Sequence, residues 1–268
     1  MTTTQKPLSD MASDAFPAPG GPELTGPDFV QSALPGFQRA LRGRRSIRVY
    51  DGEVLPEEVM LDCLRDAILA PSSSNLQPYE LHWVREPERK ATLAAACMGQ
   101  PAATTSGALV VVVARGDRWR EHLDQLIAIM TQGGSEPLPK AVATYYQKLL
   151  PMVMRTDPFG VWNLIRRGLF WFKGLKEPMV RTPVSRADHR IWAHIQASLA
   201  AQTLMLSLSA HGYDSCPMGG FDEKRVKRLL GLPRGAEVTV VVSAGRRKPE
   251  GVYGPRIRLA EGELIKQS

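Results

Sequence analysis

Three arginines stand within five positions in Arg44-Arg45-Ser46-Ile47-Arg48. A guanidinium presents a rigid fork of donors that matches phosphate oxygens two at a time, and a serine hydroxyl adds a short neutral hydrogen bond. A second basic pair, Arg256 and Arg258 in "GPRIRL", falls on one side of the chain if that segment is extended. Between these lie two stretches that suit other parts of a ligand. "APSSSNLQP", residues 70–78, carries Ser72, Ser73 and Asn75, whose hydroxyls and amide both donate and accept, as a polyhydroxylated molecule requires. "CPMGGFD", residues 216–222, carries Gly219 and Gly220, where backbone N–H groups can approach a flat ligand with no side chain in the way. Taken singly, each stretch is equally at home in a solvated turn.

The composition narrows the anion that such arginines could meet. The chain has 268 residues, is 43% hydrophobic and 23% charged, and carries a net charge of +7. Its basic residues fall in small separated groups (42–48, 166–176, 224–228, 246–248, 256–258) rather than in one stripe, which argues against nucleic acid. Cys63, Cys97 and Cys216 are odd in number and far apart, with no CxxC pair. His189 and His194 are five apart and so point to different faces of a helix. Reduced thiols and no metal site are expected. No Ser-His-Asp set and no paired carboxylates suggest a catalytic side chain. The longest apolar run, "ALVVVVA" at 108–114, falls far short of a membrane span, and the first 27 residues have no apolar core of a secretory signal. These features predict a cytoplasmic protein with a disordered or extended N-terminal arm over 1–27.

The elements that must position these residues are legible in outline. A short helical turn is expected from Pro35 to Arg42. "PEEVMLDCLRDAILAP" reads as a helix with Val59, Cys63, Ala67 and Ile68 at helical spacing. "YELHWVRE" alternates as a strand, "PERKATLAAACMG" reads as a short helix, and "ALVVVVARG" as a strand buried on both faces. Residues 187–212 form the longest helix, apolar or small on most sides and closed by Gly212, which marks it as central and buried. "FDEKRVKRLLG" is a helix capped by Asp222 and ended at Gly231, and "EVTVVVSAGRR" is the last interior strand. The tail from Lys248 to Ser268 has little of its own to pack on. There is no βαβ rhythm and no GxGxxG after a strand, so a nucleotide-binding Rossmann domain is not indicated. An α+β fold with a small central sheet over 28–268, as a single domain, fits best.

The order and spacing of the four stretches resemble the FMN-dependent nitroreductase family, over about Phe37 to Leu259 and weakly through 115–186. The resemblance implies the nitroreductase-like fold: a small, mainly antiparallel sheet flanked by helices, in an intertwined homodimer with FMN in two interface clefts. It implies that Arg44, Arg45 and Ser46 bind the flavin with Arg256 and Arg258 on its phosphate, and that Arg48 faces the pyrimidine edge of the ring. Ser72, Ser73 and Asn75 would come from the other subunit, and Gln100 would bond the ring edge. Pro217, Met218, Gly219 and Gly220 would form the loop beneath flavin N5; some members have Glu where Gly219 stands. The implied activity is hydride transfer from NAD(P)H through the flavin to a nitroaromatic, quinone or similar acceptor by a ping-pong route. The implied alternative is specialised flavin chemistry on the same scaffold: dehydrogenation of a natural product, reductive dehalogenation or flavin breakdown.

The long stretch 115–186 is the departure from that pattern. It holds Trp162, Phe170, Trp171 and Phe172 among Arg166, Arg167, Lys173 and Lys176. The first expectation is a lid whose aromatics wall the substrate pocket and whose cations suit an acidic acceptor. Dimer packing ranks second, and a basic-aromatic segment on a membrane surface third, so that membrane contact is not expected.

Overall fold

The computed structural model describes residues 27–155, 161–176, 178 and 182–268. The expected N-terminal arm therefore lies outside the described residues, apart from Pro27. The elements that build the chain run as follows. Helix α1 spans Pro27–Gly43 and α2 spans Glu57–Ala67, followed by strand β1, Tyr79–Val84. Helix α3 (Pro87–Ala96) and the single turn α4 (Pro101–Thr104) lead into β2, Ala108–Ala114. Next come α5 (Trp119–Met130), α6 (Lys140–Thr144), α7 (Leu150–Met154) and α8 (Val161–Lys173). The long helix α9 (Arg186–Ala210) leads to β3 (Asp214–Met218), α10 (Glu223–Leu230), β4 (Glu237–Gly245) and a last turn, α11 (Glu261–Leu264).

The four strands form one sheet in the order β1-β2-β4-β3, each neighbour antiparallel. β2 is central and wholly buried, which is why it can be continuously apolar. Its side chains divide by alternation. Ala108, Val110, Val112 and Ala114 enter the core shared with α2 and α9, while Leu109, Val111 and Val113 enter the core shared with α3 and α10. A bulge between Val112 and Val113 shifts the register against β4. The α+β expectation is met.

Three local readings need correction. α1 is a full helix of 17 residues rather than a short turn, with Pro35 inside it. On α2 the buried stripe is Met60, Cys63 and Ala67, while Ile68 is 52% exposed beyond the helix end. On α9 only one side is buried: Ile191, Ile195 and Leu199 stand 60%, 54% and 41% exposed. The helix is made of apolar and small residues nearly all round, yet the chain covers only its sheet-facing side. The expected terminal signals hold at Gly212, Asp222 and Gly231, and α9 has a further one at its start that was not read from the sequence. The Ser185 hydroxyl accepts from Asp188 N at 3.1 Å and the Asp188 carboxylate accepts from Ser185 N at 3.0 Å, so α9 begins in a capping box. Asp222 caps α10 and Gly231 ends it in the left-handed region.

The described part of the stretch 115–186 is mostly helical and has its own small core of Leu123, Leu150 and Met154, which closes around Leu76. Arg166 of α8 is 1% exposed. Its guanidinium donates to the carbonyls of Met152 at 2.8 Å, Val153 at 2.5 Å, Arg155 at 3.1 Å and Pro183 at 2.9 Å. The first three are acceptors left free at the end of α7, where the helix dipole favours a cation. Arg166 thus fixes α8 to the rest of the stretch.

Candidate functional site

The segment Arg44–Arg48 is clamped between the edge of the sheet and the tail. Ile47 N donates to Ser215 O at 3.3 Å, so Ser46 bridges β3 in parallel at the sheet edge. Ile47 and Tyr50 are anchors, 0% and 1% exposed, and the Tyr50 hydroxyl bonds the Ser243 hydroxyl at 3.0 Å. Burial pushes that phenol well above the ordinary tyrosine range, so it stays a neutral anchor. From the other side Arg48 N donates to Gly251 O at 3.0 Å and Lys248 N to Val49 O at 3.1 Å. A Cβ at Gly251 would lie 2.4 Å from Val49 O, so only glycine permits this approach.

That docking carries the end of the chain back onto the motif. Arg44, Arg45, Ser46 and Arg48 line one small cleft of about 140 Å³ with Pro255, Arg256, Ile257 and Arg258. Arg256 Nη2 donates to the carbonyls of Arg42 at 2.7 Å and Arg44 at 2.6 Å, and Arg45 donates to Gly254 O. The Arg48 guanidinium lies over the Tyr253 ring at 5.1 Å. Five arginines meet here, and among the described residues none of them has a carboxylate partner. Burial, together with Arg256 and Arg258, depresses the pKa of Arg44, and its buried Nη1 has no hydrogen-bond partner. An anion placed in the cleft would meet that orphaned donor and relieve the mutual repulsion.

Gln100 and the 217–220 loop adjoin the same region. β3 carries Ser215, the bridge partner of Ser46, and runs out through Pro217 and Met218 into Gly219 and Gly220. The Gln100 amide donates to Gly220 O at 2.7 Å and Cys97 O at 2.9 Å, pinning the loop to the end of α3. Nothing lies within 4 Å of a Cβ built at Gly219. Met218 is 3% exposed with its side chain in the core, so it can offer a ligand only its backbone.

Ser72, Ser73 and Asn75 are not part of that cleft. Ser72 accepts from Gln77 N at 3.0 Å, and Ser73 N donates to Gln196 Oε1 of α9 at 2.8 Å. Ser74, Asn75 and Gln77 all have positive φ, at 55°, 53° and 45°. Such conformations persist in non-glycine residues only where the surroundings hold them. Here Tyr145 and Tyr146 do so, bonding the Ser74 hydroxyl at 2.7 Å and its carbonyl at 3.3 Å. Ser73 and Asn75 are left exposed. These supports from Tyr145, Tyr146 and Gln196 were not anticipated from sequence, nor was Tyr253. They come from distant elements, and only the hydroxyl-rich composition of 72–75 hinted at them.

The four aromatics of the 115–186 stretch do not converge on one cavity. Trp162 lines a space of about 420 Å³ with Trp119, Arg120, Pro151, Met152 and Arg155. Phe170 and Trp171 line another, of about 340 Å³, with Arg167, Val184 and Asp188. Phe172 is 67% exposed and edge-on to Trp171, with 4.9 Å between ring centres.

Comparison with known proteins agrees with this architecture. The sequence profile of the Nitroreductase family matches residues 41–246. The chain belongs to the nitroreductase family. A Thermus thermophilus protein named NADH dehydrogenase is 29% identical over 216 residues, covering 81% of this chain and 89% of that one. A 4-nitrobenzoate reductase of Nocardioides is 24% identical over 231 residues, 83% of this chain and 85% of its own. Among solved structures, an Exiguobacterium sibiricum protein described as a nitroreductase in complex with FMN superposes with a TM-score of 0.59 at 26% identity. It covers 87% of this chain and 97% of that one.

Proposed function

We propose that this nitroreductase is an FMN-dependent NAD(P)H oxidoreductase that reduces small conjugated acceptors, nitroaromatics and quinones among them. The observation that carries the reading is the cleft of five arginines with no carboxylate and an orphaned donor on Arg44. Arg44, Arg45, Ser46, Arg256 and Arg258 would hold the 5′-phosphate of FMN. Arg48, extended from the same clamp, would set a positive charge against the ring edge that gains negative charge on reduction. The 217–220 loop would lie beneath the ring, giving backbone donors and no side chain at Gly219, with Gln100 fixing its position. When bound, FMN supplies the two-electron exchange between a reduced nicotinamide and the acceptor. The protein's part is then to orient, to polarise and to exclude water.

The reading includes a homodimer. Ile191, Ile195 and Leu199 of α9 and Leu34, Phe37 and Leu41 of α1 expose apolar faces on neighbouring helices. A second copy on these faces would cover them and bring its Ser72, Ser73 and Asn75 to a flavin held in the first. The exposed tail carrying Ile257 and Leu259 would wrap the partner. The names of the relatives that reduce 4-nitrobenzoate or oxidise NADH support the acceptor and donor classes. Anaerobic addition of NADH, and separately of NADPH, to FMN-loaded protein should bleach the flavin absorbance, and a nitroaromatic or quinone should restore it. A flavin that neither nucleotide bleaches would remove the oxidoreductase reading.

A further inference from the structure

Helix α8 is amphipathic, yet its apolar side faces out. At 100° per residue, Leu164, Ile165, Leu169, Trp171 and Phe172 fall in one contiguous arc. They are 72%, 50%, 50%, 54% and 67% exposed, and Leu175 in the turn beyond is 64% exposed. The side that faces the protein carries Arg166 and Phe170, 1% and 9% exposed, with the guanidinium 5.9 Å from the ring centre. The four carbonyl bonds of Arg166 hold α8 in this orientation. The outward turn of the apolar arc is therefore built in.

The sequence on either side of this helix is rich in positive charge, which favours one occupant for the arc. Residues 138–187 contain nine lysines and arginines against two acidic residues, an excess equal to the chain's entire net charge of +7. Over the rest of the sequence the signs cancel. Arg167 and Lys176 are exposed beside the arc, and Arg155 is exposed at the end of α7. A second copy of the same segment would set like charge against like. An aqueous surface would leave the aromatics unburied. An interface that is apolar within and anionic at its rim satisfies both features.

We propose that α8 and its basic surroundings dock on an anionic phospholipid surface, the apolar arc entering the headgroup boundary and Arg167 and Lys176 meeting lipid phosphates. No helix among the described residues is long and apolar enough to cross a membrane, so the contact is peripheral. This reverses the ranking read from sequence, where a lid over the substrate came first, and it stands independently of the flavin reading. Donors or acceptors that partition into lipid, such as long-chain quinones, would then be presented at the surface where the protein sits.

Flotation of the full-length protein with vesicles tests this. Wild-type protein should float with vesicles of phosphatidylcholine mixed with phosphatidylglycerol and stay behind with phosphatidylcholine alone. Raised salt should release it. The double variant Leu164→Asp/Leu169→Asp should bind at least about tenfold more weakly while reducing a water-soluble acceptor as wild type does. Arg167→Gln/Lys176→Gln, which leaves the arc intact, should lose most binding to anionic vesicles, and wild-type tryptophan emission should shift to the blue only with anionic lipid. Failure of wild-type protein to float would overturn the proposal, as would variants that both bind anionic vesicles as tightly as wild type does. A Leu164→Asp/Leu169→Asp protein with halved mass would assign the arc to a second copy instead. One with normal mass and impaired turnover of the soluble acceptor would assign it to a lid.

Discussion

Arg256 donates to the carbonyl of Arg44 at 2.6 Å, although 212 residues separate them in sequence. The contact joins the first basic motif to the last and leaves five guanidinium groups around one small cleft. Such a gathering of like charge is unfavourable by itself, and Arg256 and Arg258 add to the burial that chiefly depresses the pKa of Arg44. An anion in the cleft would relieve that repulsion. The fold brings this about with ordinary parts: a sheet edge at Ser215, a buried tyrosine, and a glycine where the tail crosses.

That glycine gives the first prediction. Gly251→Ala would force its Cβ against Val49 O, so the tail must shift away from residues 48 and 49. Arg256 and Arg258 would move with it. The variant should be less stable by about 1–3 kcal/mol in urea denaturation and should retain FMN about tenfold less well. Unchanged flavin retention would show that the tail is not part of the cleft.

The exposed side of α9 gives the second. Ile195→Asp places a charge in the middle of the apolar face shared with α1. Light scattering should show a monomer where wild type is a dimer, and flavin should be lost along with the partner's Ser73 and Asn75. A variant that stays dimeric and yellow would place the interface elsewhere.

Acid stability offers a third, through Glu80. Burial opposes ionisation of this carboxylate, but hydrogen bonds from Arg115, His82 and Arg118 outweigh it and hold its pKa down to about 2. A carboxylate depressed in the folded state stabilises the fold above its unfolded pKa, and that contribution is lost as the pH falls. For Glu80 the window runs from the ordinary glutamate value near 4.5 down to about 2. Glu80→Gln should be less stable than wild type at neutral pH and lose less stability across that window, measured as denaturation midpoints at each pH. Parallel curves for the two proteins would show that the ion-pair network does not stabilise the fold.

The reach of the sequence can be judged from particular elements. "ALVVVVA" was legible because a β-branched run with no polar face suits an interior strand, and the cap of α10 follows from local hydrogen bonding at Asp222. The basic motifs could be related to one another only through resemblance to a family, since nothing in their spacing shows that Gly251 docks the tail on Val49. What composition could not supply was direction. The pattern of α8 is the same whichever side faces in, and Arg166 turns inward because its acceptors are backbone carbonyls that no side-chain motif announces. Likewise an exposed Ile195 reads like a core isoleucine, because a subunit interface and an interior are built from the same residues.

The central claim is that the five-arginine cleft holds the phosphate of FMN, and fluorescence titration of the flavin-free protein with FMN tests it most directly. Wild type should bind one FMN per chain, riboflavin should bind far more weakly, and Arg44→Gln should weaken FMN by about 1.5–3 kcal/mol with little effect on riboflavin. Equal affinities of wild type for FMN and riboflavin, or an Arg44→Gln protein that binds FMN as wild type does, would contradict the account.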